Sequence, residues 1–290
     1  MSYGLLSALS WGISTLLAAV AARRIGALRT VVIGEAAGLA AYWTLFGLGH
    51  FSLRGIGGTD PATWFLVLGG VIGVAGYLAM YRGLESGHVG LVSAISACYG
   101  GVIAMLSVVL LRERLTAAAA VGIVATVAGV MLAVTKRKAD PDVSAGGVRG
   151  SAIGAVFGLV AALCYGVGGF LIGRYSASLG WLVPVVVARA GAMVVVLVLL
   201  GTPLRGPAPA RRASGVAWAL VAGLADAAGL IFFSRGDQVG LVAVTAATSS
   251  AYPVIPLVGG VLLFRERLRR QQAGGAALIL AGLVLLGLGS

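Results

Sequence analysis

Arg112-Glu113-Arg114-Leu115 recurs 153 residues further on as Arg265-Glu266-Arg267-Leu268. Working outward from the two copies, the same shift carries Arg82-Gly83 onto Arg235-Gly236, Gly87 onto Gly240, Ser96 onto Ser249 and Tyr99 onto Tyr252. Downstream it carries Gly122 onto Gly275 and Gly129 onto Gly282. With one residue more, Gly4, Ala8, Trp11 and Gly12 fall on Gly158, Ala162, Tyr165 and Gly166. The chain is one unit written twice.

The unit is apolar. Of 290 residues 59% are hydrophobic and only 10% charged, and the mean hydropathy is +1.03. Soluble domains carry about 25% charged residues, so water is the wrong solvent for most of this surface. The class is an all-α polytopic membrane protein. The net charge of +12 points to anionic lipid headgroups and topology control, because the basic residues sit between apolar runs. Nucleic acid is excluded as a partner, since no basic, aromatic-bearing domain stands outside the membrane segments.

Spanning helices need about 20 predominantly apolar residues. Breaks at charged and Pro/Gly-rich stretches predict ten of them: 2–22, 29–49, 61–80, 88–111, 116–135, 149–172, 181–201, 214–233, 240–264 and 271–289. The first apolar stretch lacks a basic leader and reads as a spanning helix, not a cleaved signal. The predicted organisation is a five-helix repeat over 1–137, a linker over 138–148 and a second five-helix repeat over 149–290. Five is odd, so the second repeat lies upside down relative to the first, about an axis in the membrane plane. Fifteen Lys and Arg residues fall in the odd-numbered loops and five in the even-numbered ones. The positive-inside rule then makes the odd loops cytoplasmic and places both termini outside.

Three charged residues fall well inside predicted spans: Glu35, Arg189 and Asp226. A charge at the bilayer centre costs about 2.5–3.5 kcal/mol on the insertion scale, so each needs a compensating role. Glu35 shifted by 154 lands on Arg189. The two are candidates for an ion pair or a clamp on substrate charge at the repeat interface; the alternative is that each snorkels to headgroups. Asp226 has no matching acid, since its counterpart is Gly73. It is a candidate cation-binding or proton-coupling group, or else an acid satisfied by a nearby hydroxyl or Arg.

The ninth span holds Thr245, Thr248, Ser249, Tyr252, Pro253 and Pro256. The two prolines free backbone carbonyls and favour a kink. Hydroxyls beside freed carbonyls suit a cavity wall. Trp11, Tyr77, Tyr99 and Tyr165 offer stacking or cation–π surfaces, or serve packing and interfacial anchoring. Glycines four residues apart on the first and sixth spans, Gly4 and Gly12, and Gly150 to Gly166, read as close-packing faces. Cys98 and Cys164 lie in apolar runs without metal-ligand spacing, so neither metal nor cofactor is expected.

Each repeat closes on a serine-bearing helix, an aromatic residue, an acidic-Arg-Leu turn and a Gly-rich last helix. The second copy reads Ser249-Ser250-Ala251-Tyr252-Pro253, Arg265-Glu266-Arg267-Leu268 and Gly274 to Gly282; the first reads Ser96-Ala97-Cys98-Tyr99, Arg112-Glu113-Arg114-Leu115 and Gly122 to Gly129. Over almost its whole length the chain resembles the EamA-type branch of the drug/metabolite transporter superfamily. The resemblance implies ten helices in a bacterial inner membrane, as monomer or homodimer. It implies a cavity lined by helices one, three, four, six, eight and nine. It also implies movement of a small metabolite, amino-acid-like compound or drug, often outward. Alternating access driven by a proton gradient or by the solute's own gradient is the expected mode, since no nucleotide motif argues for ATP. Members of that branch are usually described with both termini cytoplasmic, opposite to the charge count. The rival readings are a lipid or polyprenyl-carrier translocator and an integral-membrane enzyme. An enzyme would need clustered His, Cys or acids, and the two histidines, His50 and His88, stand in separate loops.

Overall fold

The computed structural model describes residues 1–49, 56–85, 92, 95–134, 145–201, 212–255 and 270–289. Among them ten α-helices are seen: α1 Ser2–Ile25, α2 Ala27–Leu48, α3 Pro61–Glu85, α4 Tyr99–Leu110, α5 Ala117–Val134, α6 Ala145–Leu179, α7 Leu182–Leu200, α8 Arg212–Val239, α9 Val242–Ser249 and α10 Arg270–Gly289. A chain in lipid must satisfy its backbone hydrogen bonds within each span, and helices do so. Six of them are long and apolar enough to cross a membrane, and shorter apolar helices cover Ile95–Leu110 and Ala117–Gly129. Large apolar side chains stand outward, with Val198 68% and Trp64 63% exposed. Small residues such as Ala18, Ala21, Ala161 and Ala219 fill the interior. That is the inverse of a soluble protein: lipid accepts the large side chains, and close backbone approach holds the bundle together.

Several boundaries differ from the sequence expectation, among them those of α6, α8 and the ninth span. Helix α8 runs on to Val239 instead of stopping near 233, which draws Asp237 into the packed interior. Helix α6 begins at Ala145, inside the expected linker. The ninth span is interrupted ahead of its first proline; α9 ends at Ser249, and helical geometry returns at Val254 and Ile255, just after Pro253. Four successive tight turns follow, with Ala251 N–H bonded to the Thr248 carbonyl, Tyr252 to Ser249, Val254 to Ala251 and Ile255 to Tyr252. Proline disfavours helical geometry in the residue before it, so the helix stops early. Pro256 and the second Arg-Glu-Arg-Leu copy lie outside the described residues.

Helices pack mainly across the halves. The strongest associations are α5 with α10, α1 with α8, and α3 with α6. Exchanging the halves turns α1–α8 into α6–α3, α1–α9 into α6–α4 and α2–α8 into α7–α3, and all of these pairs are in contact. The contacts also give direction. Gly4 and Gly12 of α1 face Thr248 and Ile255, so α1 runs parallel to α9 and its continuation. Gly158 and Gly166 of α6 face Ile95 and Val102, so α6 runs parallel to α4. Tyr99 meets Ser249 while Ser96 meets Tyr252, so α4 and α9 are antiparallel. Helix α1 therefore runs opposite to its counterpart α6, as an inverted repeat requires.

The glycine stripes are contact faces. A Cβ on Gly70 would stand 1.7 Å from the Ala188 carbonyl oxygen, and one on Gly223 2.4 Å from that of Gly34. These are the α3–α7 and α8–α2 crossings, related by the exchange of halves. Only glycine permits such approach.

Candidate functional site

A cavity of about 110 Å³ lies at the interface of the halves. Its wall takes side chains from α1 (Trp11), α3 (Tyr77), α4 (Tyr99), α6 (Tyr165), α7 (Arg189) and α8 (Asp226), and Tyr252 from the turns after α9. Helix α7 was absent from the expected set. It enters because Arg189 reaches from it into the centre. The volume exceeds by several-fold what one water needs, and suits a small organic group.

The polar wall is one connected cluster. Arg189 donates from Nη1 to Glu35 Oε1 and from Nη2 to Asp226 Oδ2 at 2.7 Å. Its Nη2 also reaches Tyr77 Oη at 3.1 Å, and Tyr77 Oη donates to Asp226 Oδ1 at 2.7 Å. The guanidinium lies 5.3 Å from the Tyr77 ring centroid and 5.8 Å from that of Tyr42. Glu35 and Arg189, equivalent in the repeat, thus meet near the pseudo-dyad, as the α2–α7 contact demands. Neither snorkels; Glu35 is 7% and Arg189 8% exposed. Asp226 shares the same partner while also facing the cavity. With both acids ionised, the cluster holds two negative charges against one positive.

The aromatic wall is built in matching pieces. Trp11 packs on Tyr99 edge to face at 5.8 Å and on Phe233 at 5.5 Å. Tyr77 packs on Tyr165 at 5.2 Å. Trp11 nests over Gly229, and its counterpart Tyr165 over Gly76; a Cβ would lie 2.6 and 2.8 Å from the rings.

Two hydrogen bonds join the interrupted helices. Ser96 Oγ and Tyr252 Oη are 2.7 Å apart, and Tyr99 Oη and Ser249 Oγ are 2.7 Å apart. The shift of 153 turns one bond into the other. A third link uses the first Arg-Glu-Arg-Leu turn. Helix α4 ends with Arg112 in the left-handed region, at φ 55°, and the Glu113 N–H bonds back to the Ser107 carbonyl at 3.3 Å. This closing turn aims Glu113 across the interface. Its carboxylate accepts the N–H groups of Val242 at 3.0 Å and Ala243 at 3.1 Å. An acid from one half thus caps the exposed donors of a helix in the other, where the helix dipole favours negative charge.

Trp11, Tyr77, Tyr99, Tyr165, Asp226 and Tyr252 are gathered on the cavity wall. Thr245, Thr248 and Ser249 are not. Thr245 and Thr248 bond carbonyls of α9 and its preceding residue, and Thr248 fits against Gly4 of α1. Ser249 reaches the cavity only through Tyr99. Three contributors escaped the sequence reading. Phe233 and Tyr42 are ordinary apolar and aromatic residues with no marker of position. Asp237 stood beyond the expected end of its helix; continuing the apolar face through Phe232 and Phe233 would have taken it in.

The EamA-like transporter family matches residues 1–135 and 152–288, one copy on each half. The chain matches no curated protein. Among 28 solved chains that match, one described only as a crystal structure of a protein is 21% identical. It covers 99% of this chain and 95% of its own, with a TM-score of 0.67, and so shares the fold. Two matched copies, ten helices packed across the repeat and a cavity between the halves agree with one another, and the chain belongs to the EamA-like transporter family.

Proposed function

We propose that this membrane transporter is a secondary exporter of a small organic solute bearing a positive charge, working by alternating access with protons as the exchanged ion. The observation that carries this reading is the cavity, where an ionic cluster with one acid in excess faces aromatic walls. An amine or organic cation fits both: carboxylates attract it and ring faces stabilise it by cation–π contact. A proton on Asp226 or Glu35 would cancel the excess charge, so proton and cation compete for one site. That competition is the simplest physical basis for exchange. The halves, proposed as 1–137 and 149–290, rock about the cavity, in a bacterial inner membrane.

The test is a thermal-stability screen of the purified full-length protein against small amines, quaternary ammonium ions, amino acids and sugars. Amines and quaternary ions are expected to raise the melting temperature, more strongly at alkaline pH. Asp226→Asn and Glu35→Gln are expected to remove that response. Stabilisation that ignores both substitutions, or is confined to anionic and neutral solutes, would refute the reading.

A further inference from the structure

Asp237 lies near the end of α8, 2% exposed, and among the described residues neither carboxyl oxygen has a hydrogen-bond partner of ordinary geometry; the Thr245 hydroxyl is the polar group beside it. It stands eleven residues after Asp226, three helical turns, so both acids occupy one face of α8 about 16 Å apart. Leu230 and Phe233, between them on that face, line the cavity. Asp237 is therefore one turn past the cavity's end. The facing helix repeats the step: Gly169 lines the cavity, and Gly173, one turn on, leaves the room that the carboxyl occupies, since a Cβ there would stand 2.8 Å from Asp237 Oδ2.

This end of the cavity is packed shut. Val242 is 5% exposed, while Ser176 and Ser234 are fully buried and bonded at 2.8 Å. Among the described residues no cation is ion-paired with Asp237. Glu113, from the turn after α4, and Tyr99, from α4, are both within electrostatic reach; Arg112 and Arg114 flank Glu113 in its turn. Arg235 on its own helix is engaged with Gln238, and Arg174 of α6 lies 5.6 Å from the Tyr175 ring centroid. Tyr3 and Thr245 lie against Gly236; the Thr245 hydroxyl bonds the Leu241 carbonyl at 3.3 Å and is also turned to the carboxyl. An uncompensated buried charge costs several kcal/mol, and here it would also face the Glu113 carboxylate.

We propose that Asp237 is a proton-binding site that keeps the α9 end of the cavity shut while it holds its proton. When the proton leaves to water, the carboxylate stands buried near Glu113 with no ion pair among the described residues, and that end is driven open to water. The proposal deepens the exchange reading above: it supplies a proton station on the same helix face as Asp226, on the far side of the Trp11–Phe233–Tyr99 contact.

Infrared titration of the full-length protein in lipid vesicles tests the binding step without any solute. A protonated-carboxyl carbonyl band is expected to persist at neutral pH, to lose one carboxyl's intensity in Asp237→Asn and to survive in Asp237→Glu. Opening is read in a Cys98→Ser background by labelling Cys164, which lines the cavity, with a membrane-impermeant thiol reagent. At alkaline pH the parent is expected to label several-fold faster than its Asp237→Asn derivative, whose amide mimics the protonated acid. A band that Asp237→Asn leaves unchanged, or labelling rates equal at every pH, overturns the proposal. Loss of the band together with failure of every solute screen would sink the transport reading alone, because proton binding would still be seen.

Discussion

Arg189 holds two acids at once, and that decides what its loss would do. Arg189→Met removes the only charge partner seen for Glu35 and Asp226 among the described residues. Breaking a buried pair by removing one partner costs about 3–5 kcal/mol, because the remaining charge is left uncompensated. The expected outcome is a large fall in melting temperature, partly recovered when Glu35→Gln and Asp226→Asn are added. Equal stability of the single and triple variants would contradict it. Gly73 offers the opposite case. No described atom lies within 4 Å of where its Cβ would stand, and it lines the cavity at the repeat position equivalent to Asp226. Gly73→Val should leave the melting temperature close to the parent value and abolish ligand-induced stabilisation by filling the site. Gly70→Ala, by contrast, drives a methyl into the Ala188 carbonyl and should cost about 1–3 kcal/mol as an overpacked contact.

The helices are joined at two kinds of junction, and each predicts its own effect. The Tyr99–Ser249 and Tyr252–Ser96 bonds clasp the interrupted fourth and ninth spans across the halves. Tyr99→Phe and Tyr252→Phe should each cost about 0.5–1.5 kcal/mol, the net worth of a buried hydrogen bond. A double-mutant cycle between Tyr99 and Ser249 should show coupling, and one between Tyr99 and Ser96 much less. The Glu113 cap is worth more. Glu113→Ala leaves the first two N–H groups of α9 without the carboxylate and should cost about 1–2 kcal/mol, seen as faster amide exchange at Val242 and Ala243. Sequence inspection found the Arg-Glu-Arg-Leu turn through its repetition but not its use. Its partner donors lie 129 and 130 residues away in the other half, and no local pattern links them. The same limit applied to Thr245 and Thr248, which polar spacing placed on a cavity wall and packing turned toward α1 and α8.

Across the fold, packed pairs exchange when the halves exchange, yet the cavity does not obey that exchange. Tyr77 lies where the other half has Leu230, Asp226 where it has Gly73, and Glu35 where it has Arg189. The frame is symmetric and the polar wall is not, so one side of the site differs chemically from the other. Orientation follows from charge distributed over all the loops. The positive-inside count predicts both termini outside the cytoplasm. A reporter active only in the cytoplasm, fused after Ser290, is expected to be silent; activity there would reverse the orientation. The ten spans, their duplication and their inversion were legible in the chain, because lipid demands apolar runs of a set length and an odd count forces the second copy over. The meeting of Glu35, Arg189, Asp226 and Tyr77 was legible only in part. Repeat arithmetic paired Glu35 with Arg189 as equivalents, but equivalence puts two residues near each other only when their helices cross at the dyad. Tertiary packing supplied that crossing. It likewise buried Asp237 with no ion pair among the described residues and seated Glu113 on α9, since contacts between distant segments depend on how helices lean together and leave no period in the chain.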